Sequence, residues 1–165
     1  MGTSHSISFI TLGCAKNEVD TDKMQARLIG AGHMIVDDAT KADVVVVNTC
    51  AFLTSAVDES LEVIFDLLNQ EYPGSENRKI LVAGCMPARY GEDLSNELTE
   101  VSGFVSAADE DRIVEFVERA IDPARNTPES NDGSFLRNQA GPFAYVKISD
   151  GCDRFCSYCM IPYIR

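Results

Sequence analysis

Val44-Val45-Val46-Val47-Asn48-Thr49-Cys50 is the stretch on which the reading of the fold turns. Four successive β-branched residues without polar alternation suit a strand covered on both faces, as in the middle of a parallel sheet. Parallel neighbours require crossovers, which are usually helices. The flanking sequence supplies both. Toward the N-terminus, Ile7 to Leu12 reads as a strand and Asn17 to Gly30 as a helix. Asn17 is its expected cap, with Asp20 at the third position; Met24, Leu28 and Ala31 share a face, and Gly30 and Gly32 mark the stop. Toward the C-terminus, Ser55 and Asp58 open a helix with Val57, Leu61, Ile64, Phe65 and Leu68 in one stripe. Ile80 to Ala83 follows as a strand, then a helix near Gly91 to Leu98, a short edge strand at Phe104 and Val105, and a helix capped by Asp109 with Ile113, Phe116, Val117 and Ala120 on one face. The predicted class is α/β, an open and mostly parallel sheet flanked by helices.

This pattern fills residues 5–121. Residues 122–142 are rich in Pro, Asn, Ser and Gly and read as a linker, and Phe143 to Ile148 reads as a new strand opening a second unit at 143–165. The chain carries 26 acidic against 14 basic residues, a net charge of −12, and the whole of the acidic excess lies before residue 143. Such a surface repels phosphate backbones and attracts a basic partner, although acidity alone also serves solubility. No apolar run approaches the ~18 residues of a membrane span. Met1 to Ser6 lacks the basic and apolar regions of a secretory signal, and its loose fit to a myristoylation pattern is weakened by the strand that begins at Ile7. A cytoplasmic, reducing setting is therefore expected, where cysteines serve more often as metal ligands or catalysts than as a disulfide framework.

The six cysteines fall into two sets of three. Each strong strand ends in one: ISFITLGC at Cys14, VVVVNTC at Cys50 and KILVAGC at Cys85. The carboxyl ends of parallel strands lie along one edge, about 4.8 Å apart, so residues distant in sequence meet there. Gly13 and Gly84 permit tight turns beside two of the thiols, and helix N-termini favour thiolates and an anionic cluster. Buried structural cysteine is the plain alternative for any one of them, but three equivalent positions point to iron–sulfur ligation. Zinc prefers four ligands, and neither His5 nor His33 sits at a strand end. The second set, Cys152, Cys156 and Cys159, forms C-x₃-C-x₂-C in GCDRFCSYC, with Phe155 and Tyr158 placed to shield a cluster or simply to pack.

C-x₃-C-x₂-C with an aromatic residue before its last cysteine resembles the signature of radical S-adenosylmethionine (SAM) enzymes. With LGCAKNEVD, VNTCAF, VAGCMPARY and AYVKISDGCDRFCSYCMIPYIR, the whole of residues 7–165 resembles the methylthiotransferases. The resemblance implies an auxiliary [4Fe–4S] cluster on Cys14, Cys50 and Cys85, and a second [4Fe–4S] cluster on Cys152, Cys156 and Cys159 that chelates SAM. It also implies an electron donor, and a (β/α)₈ barrel of which only the first strand is present. The expected object is thus the N-terminal part of a larger sulfur transferase, inactive by itself.

Lys16, Asn17 and Asp20 in LGCAKNEVD resemble the RimO-type branch, whose substrate is an aspartate of small-ribosomal-subunit protein twelve; Ala15 stands where proline is usual there. The tRNA-modifying MiaB type, acting on adenosine C2, is the alternative. A third reading, of another class, is an acidic docking module for a basic protein.

Overall fold

A computed structural model describes residues 4–71, 75–124 and 142–165. Five parallel strands form one sheet: β1 (Ser6–Thr11), β2 (Met34–Ile35), β3 (Val44–Thr49), β4 (Lys79–Gly84) and β5 (Gly103–Ser106), in the order β2-β1-β3-β4-β5. The helices are α1 (Ala15–Gly30), α2 (Thr54–Asn69), α3 (Cys85–Glu97), α4 (Ile113–Ile121) and a last short turn, α5 (Ile161–Ile164). The valine run is β3, at the centre, and all six of its residues are buried.

Its side chains alternate between two cores. Val45 and Val47 pack with Ile64 and Leu67 of α2 and with Met86 and Leu94 of α3. Val44 and Val46 pack on the other face with Met24 and Leu28 of α1 and with Ile113 and Val117 of α4. Each fully buried valine contributes about 2 kcal/mol by its removal from water. The register pairs Ile10 with Val47, Val47 with Val82, and Thr49 with Gly84. The bond from the Leu12 amide to the Asn48 carbonyl, at 2.9 Å, carries the ladder to the edge where all three strand-end cysteines emerge.

Several expectations change. The first helix begins at Ala15, so Asn17 does not cap it; its side chain is wholly buried. Ala31 is exposed, beyond the buried face of Met24 and Leu28. The second helix starts at Thr54 without a side-chain cap, and Phe65 in its apolar stripe is exposed. The third starts at Cys85, well before Gly91, which is instead a kink inside it (φ 49°, ψ −121°). The short edge strand β2 had no signal in the sequence beyond Met34 and Ile35. Phe143 to Ile148 forms no strand: it joins neither edge of the sheet, and a strand exists only through a partner's backbone groups. Ile148 there is 94% exposed. Most of the expected linker, residues 125–141, lies outside the described residues.

Candidate metal centre at the strand ends

The strand order 2-1-3-4-5 reverses between β1 and β3, and open α/β sheets bind ligands at the carboxyl edge beside such a switch point. Cys14 follows β1, Cys50 follows β3 and Cys85 follows β4. All three line one cavity of about 410 Å³ together with Gly13, Lys16, Phe52, Leu53, Ile161, Ile164 and Arg165.

Local chemistry fixes each thiol. Cys14 is the extended residue before α1, and its carbonyl accepts from the Asn17 amide at 2.9 Å. Gly13, at φ +96°, lies so close to Cys50 that a Cβ there would stand 2.5 Å from the Cys50 Cβ. Gly84, at φ +92°, turns β4 into α3; a Cβ on it would meet the Asn48 Oδ1 at 2.3 Å and the Thr49 carbonyl at 2.8 Å. Only glycine fits both the conformation and the space. Asn48 is itself part of a buried clasp. It donates to the Asn17 carbonyl at 2.9 Å and to Thr21 Oγ1 at 3.0 Å, while Asn17 Nδ2 donates to Asn48 Oδ1 at 3.1 Å and to the Thr49 carbonyl at 2.9 Å. Thr49 Oγ1 donates to the Ala83 carbonyl at 2.7 Å and accepts from the Met86 amide at 3.3 Å, seating the start of α3. Sequence reading missed the clasp; Asn48 and Thr49, polar residues ending a valine run, were the signal available.

Burial pushes the Cys85 thiol above its ordinary range, opposed by the Arg165 guanidinium, whose Nη2 lies 3.5 Å from Sγ. Arg165 is held by Asp20, and Lys147 donates to the other oxygen of the same carboxylate at 2.7 Å. Burial is the largest influence and opposes the charge on Arg165, but the bond to Asp20 together with the charges of Cys85, Asp20 and Glu110 outweighs it, and the guanidinium is held above its usual range.

Cys152 and Cys156 are exposed and Cys159 is half-buried; none of them lines the strand-end cavity. Phe155 packs edge-on against Tyr163 at 5.7 Å, in line with plain packing, and Tyr158 is 88% exposed. All six cysteines are free thiols. Among the described residues no three Cys, His, Asp or Glu side chains converge on a single ion. The strand-end donor set nonetheless suits a larger anionic group. Three thiols line a cavity with two cations, Lys16 and Arg165, and one carboxylate, Glu59, on its wall, and glycine replaces side chains where the backbone approaches most closely.

Residues 6–106 match the family described as uncharacterized protein family UPF0004. The chain belongs to this family. The UPF0004 match takes in the whole sheet and all three strand-end cysteines. The chain is similar to proteins named ribosomal protein uS12 methylthiotransferase RimO. It is 37% identical to that of Natranaerobius thermophilus over 96% of the chain and 37% of the relative. For Geobacter sulfurreducens the figures are 40% identity over 96% and 37%, and for Symbiobacterium thermophilum 41% over 99% and 35%. The chain thus spans little more than a third of the length of these relatives. No helix among its described residues is long and apolar enough to cross a membrane.

Proposed function

We propose that this chain is the N-terminal part of a cytoplasmic radical SAM methylthiotransferase that modifies the β-carbon of an aspartate in small-ribosomal-subunit protein twelve. The observation that carries the proposal is the convergence of Cys14, Cys50 and Cys85, from three strand ends, on one cavity. In this reading residues 5–121 form the domain that holds an auxiliary [4Fe–4S] cluster through those thiols. Residues 122–142 are a linker, and residues 143–165 begin the SAM domain, where Cys152, Cys156 and Cys159 hold the second [4Fe–4S] cluster. When bound, the two clusters and SAM supply the radical and the methylthio group, with an external donor supplying electrons.

The protein's own residues do the rest. Lys16 and Arg165 place positive charge beside a group that thiolate ligation makes anionic. Phe52, Leu53, Ile161 and Ile164 form an apolar wall that limits water at the sulfur-bearing site. The acidic surface, −12 in net charge, suits a basic ribosomal protein better than tRNA, and the names of the relatives agree. The same acidity is what favours the docking-module reading, in which binding is salt-sensitive and requires no metal.

The test uses protein extended to the length of the relatives, supplied with SAM, a reductant and either the ribosomal protein or tRNA. A methylthio-sized mass gain on an aspartate is expected, with no product from residues 1–165 alone. Gain on tRNA adenosine instead would establish the alternative substrate. No product with both clusters loaded would contradict the reading.

A further inference from the structure

Lys147 and Arg165 bracket the loop that carries Cys152, Cys156 and Cys159, and both end on one carboxylate. Asp20, in the second turn of α1, is 0% exposed. Its Oδ1 accepts from Lys147 Nζ at 2.7 Å and its Oδ2 from Arg165 Nη1. Other charged groups surround this pair. Asp150 accepts from Lys147 and lies 3.7 Å from Arg165; Lys16 of α1 donates to the Asp150 carbonyl at 2.5 Å. Buried Glu110, in the turn before α4, faces the same group of charges. Gly151 runs against the end of the chain, where a Cβ would stand 2.7 Å from the Arg165 carbonyl oxygen.

Apolar packing holds the C-terminal end of the segment. Phe143, Val146 and Ile148 are exposed, whereas Ile164 is buried in the core beside α2 and α3 and Met160 packs against that core. Docking therefore rests on the ion pairs at both ends of the loop together with the packing of Met160 and Ile164. A buried carboxylate with both oxygens engaged is also costly to break, because removing one partner leaves the other charge uncompensated.

We propose that Asp20 is a positioning residue that fixes the second cysteine loop relative to the first cysteine set by clamping both ends of that loop. Asp20 also aims Arg165: one nitrogen of the guanidinium is anchored on Asp20 and another reaches the Cys85 sulfur, 3.5 Å away. Arg165 belongs to the segment of the second set yet forms part of the wall around the first. The loop's docking thereby completes the electrostatics of the strand-end site. The part of this inference that concerns a cluster rests on the proposed function; the part that concerns docking does not.

The two parts are tested separately. In the metal-free chain, hydrogen exchange is followed at the Tyr163 and Arg165 amides, which bond to Met160 and Ile161. Asp20→Asn and Arg165→Met are each expected to speed exchange there on the order of 100-fold while β3 amides are unchanged. Unchanged exchange in both variants, or equal acceleration in the sheet, would overturn the clamp. If Asp20→Asn does not fold, Arg165→Met decides alone. After iron reconstitution, the reduction potential of the strand-end centre gives a readout whose sign discriminates. Neutralising an anion raises a potential by itself, whereas losing a positioned cation lowers it. Asp20→Asn is expected to lower it, and the same change in an Arg165→Met background to raise it. A rise in both backgrounds would show that Asp20 does not place Arg165. Failure to bind iron would contradict the proposed function and leave the exchange result standing.

Discussion

Cys14, Cys50 and Cys85 are held by a sheet whose register brings three strand ends to one edge, whereas Cys152, Cys156 and Cys159 lie on a loop tethered at its two ends by Lys147 and Arg165. Backbone hydrogen bonds and two apolar cores bring the first set to one cavity. The second lies on no strand of the sheet and touches the core only beyond the loop, through Met160 and Ile164, and its thiols remain largely exposed. Metal ligands built on regular structure are preorganised, and those on a loop are ordered when a metal or a neighbouring surface holds them. The two sets should therefore respond differently to substitution, to pH and to metal.

The largest expected difference comes from Gly84. Gly84→Val places a β-branched side chain at φ +92° against the backbone of Thr49, and it should cost about 4 kcal/mol or prevent folding. Chemical denaturation measures it; a loss below about 1 kcal/mol would mean that the strand-end geometry is not rigid.

Next is the pH dependence on the tethered side. Burial first, and then the charge of Asp20, push the Glu110 carboxyl up to about 8 from an ordinary 4.5, with Arg165 and Lys147 opposing. The folded state thus keeps a proton that the unfolded chain has released. The associated stability is fully present below pH about 4.5 and is lost as pH rises through about 8. Stability measured from pH 5 to 9 should fall in the wild type, and Glu110→Gln should flatten the slope. An unchanged slope in that variant would place the titration elsewhere.

Asn48→Ala should cost about 2 kcal/mol by leaving buried groups of Asn17 and Thr21 without their partner. Cys156→Ser should shift stability by less than about 0.5 kcal/mol, because the side chain is exposed and outside both cores. A larger effect from Cys156 than from Asn48 would reverse the contrast between the two regions.

What was legible in the sequence follows the same division. Val44 to Val47 announced a strand buried on both faces, and the glycine–cysteine pairs at 13–14 and 84–85 announced turns at one edge, since both signals are local. The second set was legible as a ligand motif but not as a structure. Its spacing is local, yet the expected strand at Phe143 to Ile148 pairs with no strand among the described residues, and Phe155 and Tyr158 are exposed. Asn17 illustrates the limit of local reading. Its propensity favours a cap, but a tertiary partner, Asn48, draws it into the helix and beneath the surface. The roles of Asp20 and Arg165 depend on a contact spanning 145 residues, which no local pattern encodes.

The most direct test is iron and acid-labile sulfide per chain after anaerobic reconstitution, compared among wild type, Cys50→Ala and Cys156→Ala. Binding at the preorganised strand-end site predicts about four irons in Cys156→Ala and a sharp fall at that site in Cys50→Ala. Iron near zero in the wild type, zinc in its place, or iron unchanged by Cys50→Ala would contradict the assignment of Cys14, Cys50 and Cys85 as cluster ligands.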